Sequence, residues 1–187
     1  MGQSMAAAIR ILPLLALVFA GGCASEPVHQ ILTPFLDNDF NTWKQPGPYT
    51  VTGQAFYKQP AGQVITCAGE SVSLMPLTGY NMELSKLLET GKGFPANYER
   101  RAHKYDKKAM CDGGGRFTFE GLPALNWLLI TRVNWQENGT FAFVPYVGGP
   151  TDKGGWLFQE IQIESAYNAP TTVKVTLSNP DFVADKN

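Results

Sequence analysis

Side chains that commonly carry chemistry are few in this sequence of 187 residues. It holds three cysteines, Cys23, Cys67 and Cys111, and two histidines, His29 and His103. A cysteine can be acylated, can close a disulfide or can bind a metal ion as its thiolate. Cys67 and Cys111 have no nearby histidine and would leave the ligand set of a zinc site incomplete. We therefore expect neither a bound metal nor a cofactor.

One histidine, His103, lies among charged residues and is the candidate for acid–base work. Five cations surround it in the sequence, and they would disfavour its protonated form. No carboxylate or nucleophile stands at a telling spacing from it, and the chain holds no zinc-protease, nucleophile-elbow or phosphate-loop motif. We predict that the chain is not an enzyme. An envelope hydrolase remains an alternative that would need a concave site with a base beside a nucleophile.

The first 22 residues have the pattern of an export signal. A start carrying Arg10 precedes an unbroken apolar run, and small residues follow it immediately before Cys23. A membrane-spanning helix would need ~20 apolar residues, whereas this run is shorter and contains Pro13. We therefore expect residues 1–22 to be a removable signal.

Small residues directly before a cysteine resemble the lipobox of bacterial lipoproteins. The resemblance implies that Cys23 is acylated and becomes the first residue of the mature chain. Several acyl chains anchor firmly, since each buried methylene contributes ~0.8 kcal/mol. Ala24 stands where an aspartate often retains such proteins at the inner membrane, so the resemblance implies the periplasmic face of the outer membrane. The alternative is ordinary cleavage near Gly22, which leaves Cys23 as an exposed thiol in an oxidising compartment.

Export also bears on the other two cysteines. Because disulfides form and persist outside the cytoplasm, we predict that Cys67 and Cys111 pair. A bridge closing a loop of about 45 residues stabilises the fold by roughly 4 kcal/mol in the chain-entropy model. The alternative is two buried free thiols.

Composition bounds the rest of the chain. Removal of the 22 signal residues leaves 165, which suits one domain with a sizeable core. Without Arg10 the side-chain charges are 14 basic and 16 acidic, a near-neutral balance that argues against nucleic acid as a partner. Gly and Pro are scattered and aromatic residues are plentiful, as in a folded, turn-rich domain.

Apolar residues alternate with polar ones from Tyr49 onward, the period of a half-buried strand. About seven to eight short strands separated by turns predict an all-β sandwich or barrel. One helical stretch and a strongly basic run interrupt them inside the predicted Cys67–Cys111 loop. The predicted organisation is therefore as follows: signal 1–22, tether 23–48, sandwich 49–180 with an insertion at 80–110, and a tail at 181–187.

The stretch DGGGRFTFEGLPA gives a second resemblance. It resembles the signature of carboxypeptidase-regulatory-like, transthyretin-like and Cna-B-like sandwiches, through Asp112, Gly115, Phe117, Phe119, Gly121, Leu122 and Pro123. The segment GQAFYKQPAGQVITCAGESVSLMP is similar to the opening hairpin of these domains. Together they cover roughly residues 51–129 and imply an Ig- or transthyretin-like sandwich. They imply no activity, because the zinc ligands of true carboxypeptidases belong to a separate catalytic domain.

The basic run is the first candidate for a binding surface. Its cations, with Tyr98 and Tyr105 among them, could contact lipid headgroups, another anionic envelope component or an acidic protein partner, at ~1 kcal/mol each near an anionic surface. The alternative is a solvated loop with Glu99 and Asp106 as counterions. The candidate residues are Arg100, Arg101, Lys104, Lys107 and Lys108.

Tryptophans form the second candidate surface. Aromatic rings on a sandwich face can stack on sugars, and some starch-binding domains resemble this fold, although tryptophans in strands usually belong to the core. A sugar site would require these rings exposed in a row: Trp127, Trp135 and Trp156. We predict a lipid-anchored cell-envelope protein with a non-catalytic binding or structural role, a carbohydrate-binding module being the alternative.

Overall fold

Two β-sheets pack face to face in the computed structural model of this protein, which describes residues 29–138, 150–165 and 171–185. These residues form nine strands with few helical segments between them. The predicted all-β sandwich with a short inserted helix is confirmed. The strands are β1 (Tyr49–Lys58), β2 (Val64–Thr66), β3 (Ser71–Pro76), β4 (Lys107–Met110), β5 (Arg116–Leu122), β6 (Asn126–Asn138), β7 (Pro150–Gln162), β8 (Thr172–Leu177) and β9 (Phe182–Ala184).

The first sheet is built around β1. It pairs antiparallel with β2 and β5 and parallel with β8. The second sheet has the order β4-β3-β6-β7-β9, all antiparallel. The long hairpin of β6 and β7 forms its centre, and β9 pairs with β7 over only three residues. Because β9 pairs only with residues 155–157 of β7, both ends of β7 extend beyond it, and the end before Gly155 positions the candidate site.

The main core lies between the sheets, on the inward face that alternation predicts. On β1 the buried residues are Tyr49, Val51 and Ala55, and on β6 the main core takes Trp127, Leu129 and Val133. Successive strand residues point to opposite faces of a sheet, so these positions share one face.

A second core covers the outer face of the five-stranded sheet. Leu128 and Ile130 of β6 and Phe158 of β7 point away from the first sheet and are buried. Helix α1 (Gly79–Leu88) and the 3₁₀-helices at Asp37–Lys44 and Arg100–Tyr105 contribute the residues that bury them. The inserted segment is thus a third layer packed on the sandwich.

Segments predicted as a tether and a tail contain ordered structure. Ile31 and Phe40 are buried in the second core, within the described part of the segment 23–48. The segment 181–187 contains β9, whose Phe182 packs against the main core. The signal 1–22 and Cys23 lie outside the described residues, and their roles stay predictions. No helix in the described part is long and apolar enough to cross a bilayer.

The predicted disulfide between Cys67 and Cys111 is confirmed. Their Cα atoms lie 5.7 Å apart, and both residues are buried in the main core. Cys67 follows β2 and Cys111 follows β4, so the bridge encloses β3, α1 and the basic run. The bridge therefore joins the two ends of the segment that holds the third layer.

The DGGG turn before β5 depends on one carboxylate and one glycine. Oδ1 of Asp112 accepts hydrogen bonds from the backbone N–H groups of Gly114 and Arg116, both at 2.8 Å. Gly115 has φ +75°, and a Cβ on it would lie 2.6 Å from the carbonyl oxygen of Ala55. Only glycine fits there without strain.

We expect Asp112→Ala to destabilise the protein at neutral pH and to do so less at about pH 3. The N–H of Arg116, and next that of Gly114, lower the pKa of Asp112 below its ordinary value. A carboxyl whose pKa falls on folding adds stability above its unfolded-state pKa of about 4, and this is lost as the pH falls through the folded pKa. Urea unfolding at both pH values measures the difference. Thr118→Ala is the control, because it removes no titrating group. An equal loss of unfolding free energy for Asp112→Ala at both pH values would contradict the prediction.

Candidate functional site

A cleft of about 690 Å³ opens where β9 ends and the hairpin of β6 and β7 continues beyond it. Such a volume lies within the range of small-molecule sites. Three aromatic rings form part of its wall, and charged or amide side chains form most of the remainder. The lining residues are Tyr57, Arg132, Asn134, Trp135, Gln136, Asp152, Lys153, Gly154, Phe182, Ala184 and Asp185.

The aromatic wall comes from three strands in two sheets. The ring centroids of Tyr57 and Phe182 lie 4.1 Å apart, and those of Tyr57 and Trp135 lie 5.4 Å apart, both pairs stacked. All three side chains are partly buried against the main core at its open end. Gly155 makes room for this stack, because a Cβ there would lie 2.5 Å from the ring of Phe182.

The polar wall is held by contacts between its own side chains. Arg132 forms an ion pair with Asp185, and its guanidinium lies 4.7 Å from the ring centroid of Trp156. Nε2 of Gln136 donates to Oδ1 of Asp152 at 3.2 Å across the hairpin. A guanidinium resting on an aromatic face keeps one orientation. Because Arg132 and Gln136 point to the opposite face of β6 from Trp135, these held polar groups meet the aromatic rings around the edge of the hairpin, where the cleft opens.

The three tryptophans predicted to stack on sugars have three different surroundings. Trp135 lines the cleft. The prediction is wrong for Trp127, which is fully buried in the main core and has no face available to a ligand. Trp156 is partly buried, with Phe94 against it at 5.3 Å, and it supports Arg132. The tryptophans therefore do not form a row.

The cations of the basic run divide between two elements. Arg100, Arg101 and Lys104 belong to the 3₁₀-helix, while Lys107 and Lys108 belong to the edge strand β4. Two of them are paired with a carboxylate that the sequence did not indicate: Nζ of Lys104 lies 2.6 Å and the guanidinium of Arg101 lies 3.8 Å from Asp37. The hydrogen bond from Lys104, and next that from Tyr105, lower the pKa of Asp37.

His103 has a carboxylate partner, contrary to our expectation. Its Nδ1 lies 2.8 Å from Oδ2 of Asp106, whose side chain is fully buried. Burial raises the pKa of Asp106, and the hydrogen bond to His103 opposes that rise. His103 also contacts the rings of Tyr98 and Phe94 and does not line the cleft. Among the described residues, no cluster of three or more histidine, cysteine or acidic side chains could hold a metal.

Comparisons with known proteins concern the fold. No family model matches the chain, and no curated protein matches it. Membership of the carboxypeptidase-regulatory-like and transthyretin-like group therefore stays a prediction. The chain is similar to the crystal structure of PA1324 from Pseudomonas aeruginosa, a protein proposed to bind carbohydrate. The TM-score is 0.61 and the identity 18%, over 79% of this chain and 99% of the other.

Proposed function

We propose that this protein is a non-catalytic binding protein of the cell envelope and that its cleft binds a carbohydrate. The observation that carries the proposal is that one cleft is lined both by aromatic rings and by polar side chains held by one another. A sugar ring has apolar C–H faces and hydroxyl groups around its edge. Aromatic side chains cover such faces, and amide, carboxylate and ammonium groups bond the hydroxyls.

The fold similarity supports the choice of ligand. The similar Pseudomonas aeruginosa structure belongs to a protein proposed to bind carbohydrate. At 18% identity this likeness concerns the fold and carries no residue of a site across. It makes carbohydrate the class of ligand to test first.

Two features support a non-catalytic role. His103, the sequence's candidate base, is not a lining residue of the cleft, so its pairing with Asp106 places no base beside a ligand there. The two carboxylates that line the cleft, Asp152 and Asp185, are bonded to Gln136 and Arg132. Groups held in this way suit recognition of hydroxyl groups.

The envelope location rests on Cys23, which we propose to be acylated. The disulfide between Cys67 and Cys111 supports an exported chain, because disulfides persist in oxidising compartments. A mass spectrum of the purified protein tests the anchor directly. An acylated N-terminal Cys23 is the expected result, and an N-terminal peptide without acyl groups would overturn it.

We expect Trp135→Ala to weaken carbohydrate binding by about 2 kcal/mol or more, which is about thirtyfold in Kd. The indole lines the cleft and stacks on Tyr57, so its loss removes part of the apolar wall. Isothermal titration measures Kd for the oligosaccharide that binds wild type most tightly, chosen from a panel of soluble neutral and acidic oligosaccharides.

Trp43→Ala is the matched control. Trp43 is also partly buried against the main core, where its Nε1 donates to the carbonyl oxygen of Asn126 at 2.9 Å, and it does not line the cleft. We expect wild-type affinity from it. The proposal fails if no oligosaccharide of the panel binds wild type, or if the two variants lose affinity equally.

A further inference from the structure

An extended segment near the start of the described chain has an apolar outward face. Its inward side chains, Ile31 and Phe35, belong to the second core. The side chains between and after them point outward: Leu32 is 81% exposed and Leu36 is 52% exposed, with Pro34 also exposed between them. Outward positions of a solvated strand are usually polar. Here all three are apolar.

Helix α1 holds this segment and carries a further exposed apolar residue. The two carboxylate oxygens of Glu83 accept hydrogen bonds from the backbone N–H groups of Leu32 and Thr33, at 2.8 and 2.7 Å. The preceding residue, Met82, is 43% exposed. We call these exposed residues the leucine stripe: Leu32, Pro34, Leu36 and Met82. Single exposed apolar residues are ordinary, whereas neighbouring ones mark a contact surface.

Cations border the leucine stripe. The guanidinium of Arg101 lies 5.4 Å from the ring centroid of Phe35, between the two exposed leucines in sequence. Lys86 is exposed one helical turn beyond Met82. Two carboxylates close to the stripe are engaged, Glu83 with two backbone N–H groups and Asp37 with Lys104, while Asp39 is exposed three residues after Leu36. An apolar strip with basic residues beside it is the pattern of an interfacial membrane contact.

The length of chain before the stripe identifies the surface that covers it. Leu32 lies nine positions after Cys23, and those nine steps span at most ~30 Å when fully extended. A domain of about 165 residues has a radius of gyration of about 15 Å, and hence a diameter of about 40 Å. The chain from an acylated Cys23 cannot pass around such a domain. The face with the leucine stripe is then the one held at the lipid.

We propose that the leucine stripe rests in the headgroup region of the membrane that holds Cys23, so that the domain has one fixed orientation on the bilayer. This inference rests on the proposed anchoring and is independent of the ligand of the cleft. Exposed leucines at ~5–10 Å depth bury apolar area, and Lys86, Arg101 and Lys104 lie at the level of lipid phosphates.

Spin labels on the lipidated full protein test the orientation. An acylated Cys23 and the disulfide leave an introduced cysteine as the only free thiol of the chain. Leu32→Cys and Leu36→Cys report on the stripe. Val64→Cys is the matched control, because Val64 is 53% exposed on β2 of the other sheet. The labelled proteins are reconstituted in vesicles of phosphatidylethanolamine and phosphatidylglycerol, with circular dichroism as the check of folding.

We expect the ratio of label relaxation by oxygen to that by a water-soluble nickel complex to rise several-fold at positions 32 and 36. The ratio at position 64 should keep its value for water. An aqueous ratio at 32 and 36, on protein whose mass spectrum shows the acylated Cys23, would overturn the orientation alone. Unacylated protein would overturn the anchor and the orientation together and would leave the titration of Trp135→Ala unaffected.

Discussion

The double variant Cys67→Ala/Cys111→Ala is expected to lose about 4 kcal/mol of unfolding free energy. The disulfide closes a loop over a sequence separation of 44 residues, and removing it returns that conformational entropy to the unfolded chain. Both cysteines are buried in the main core, so the alanine side chains gain no contact with water that would offset the loss. For a domain of this size the midpoint of thermal unfolding should fall by about 8–16 °C.

Urea unfolding of the variant and of wild type measures this difference. Met110→Ala is the control, since Met110 is the last residue of β4, directly before Cys111, and is 64% exposed. Its free energy of unfolding should stay within about 0.5 kcal/mol of wild type. If the unfolding free energy of the double variant stays within about 1 kcal/mol of wild type, the prediction is contradicted. Residual structure in the inserted segment would then restrict the unfolded chain without the bridge.

The alternation of apolar and polar residues predicted the strands but did not predict the third layer. In β6 the sequence WLLI at 127–130 is apolar at every position. Trp127 and Leu129 belong to the main core, while Leu128 and Ile130 belong to the second core. A run without polar residues is typical of a strand buried on both faces. That signal was present in the sequence and indicates a cover on the outer face, which the insertion provides.

The candidate site depends on contacts between residues far apart in the sequence. Trp135 could be singled out by its type, but Tyr57 and Phe182 are separated by 125 positions and meet only through the pairing of β9 with β7. The segment with β9 has three strand residues, too few to show a period. The same limit applies to Asp37, which meets Lys104 across 67 positions.

Residue type alone could not separate the tryptophans. Trp127 and Trp135 occupy the same face of β6, eight residues apart. Trp127 lies between Pro76 of β3 and Ile161 of β7, whereas Trp135 lies beyond the part of β6 that pairs with β3 and is paired only with Lys153. The register of β6 and the length of its neighbouring strand decide which ring reaches a ligand. The local sequence predicts neither.

Trp127→Ala should lower the free energy of unfolding by about 3–5 kcal/mol. The side chain is fully buried between the sheets, and its removal leaves a cavity that strands on both sides cannot easily fill. Urea unfolding again measures the loss. Trp43→Ala, at a partly buried position of the same core, should cost clearly less.

Trp127→Phe separates packing from polarity at this position. Nε1 of Trp127 is buried and has no acceptor among the described residues, so the indole keeps the cost of an unpaired donor. Phenylalanine loses some volume but also removes that donor, and the variant should stay within about 1.5 kcal/mol of wild type. It should also bind carbohydrate as wild type does, because Trp127 does not line the cleft. A folded Trp127→Phe protein that no longer binds would contradict the assignment of Trp127 to the core alone.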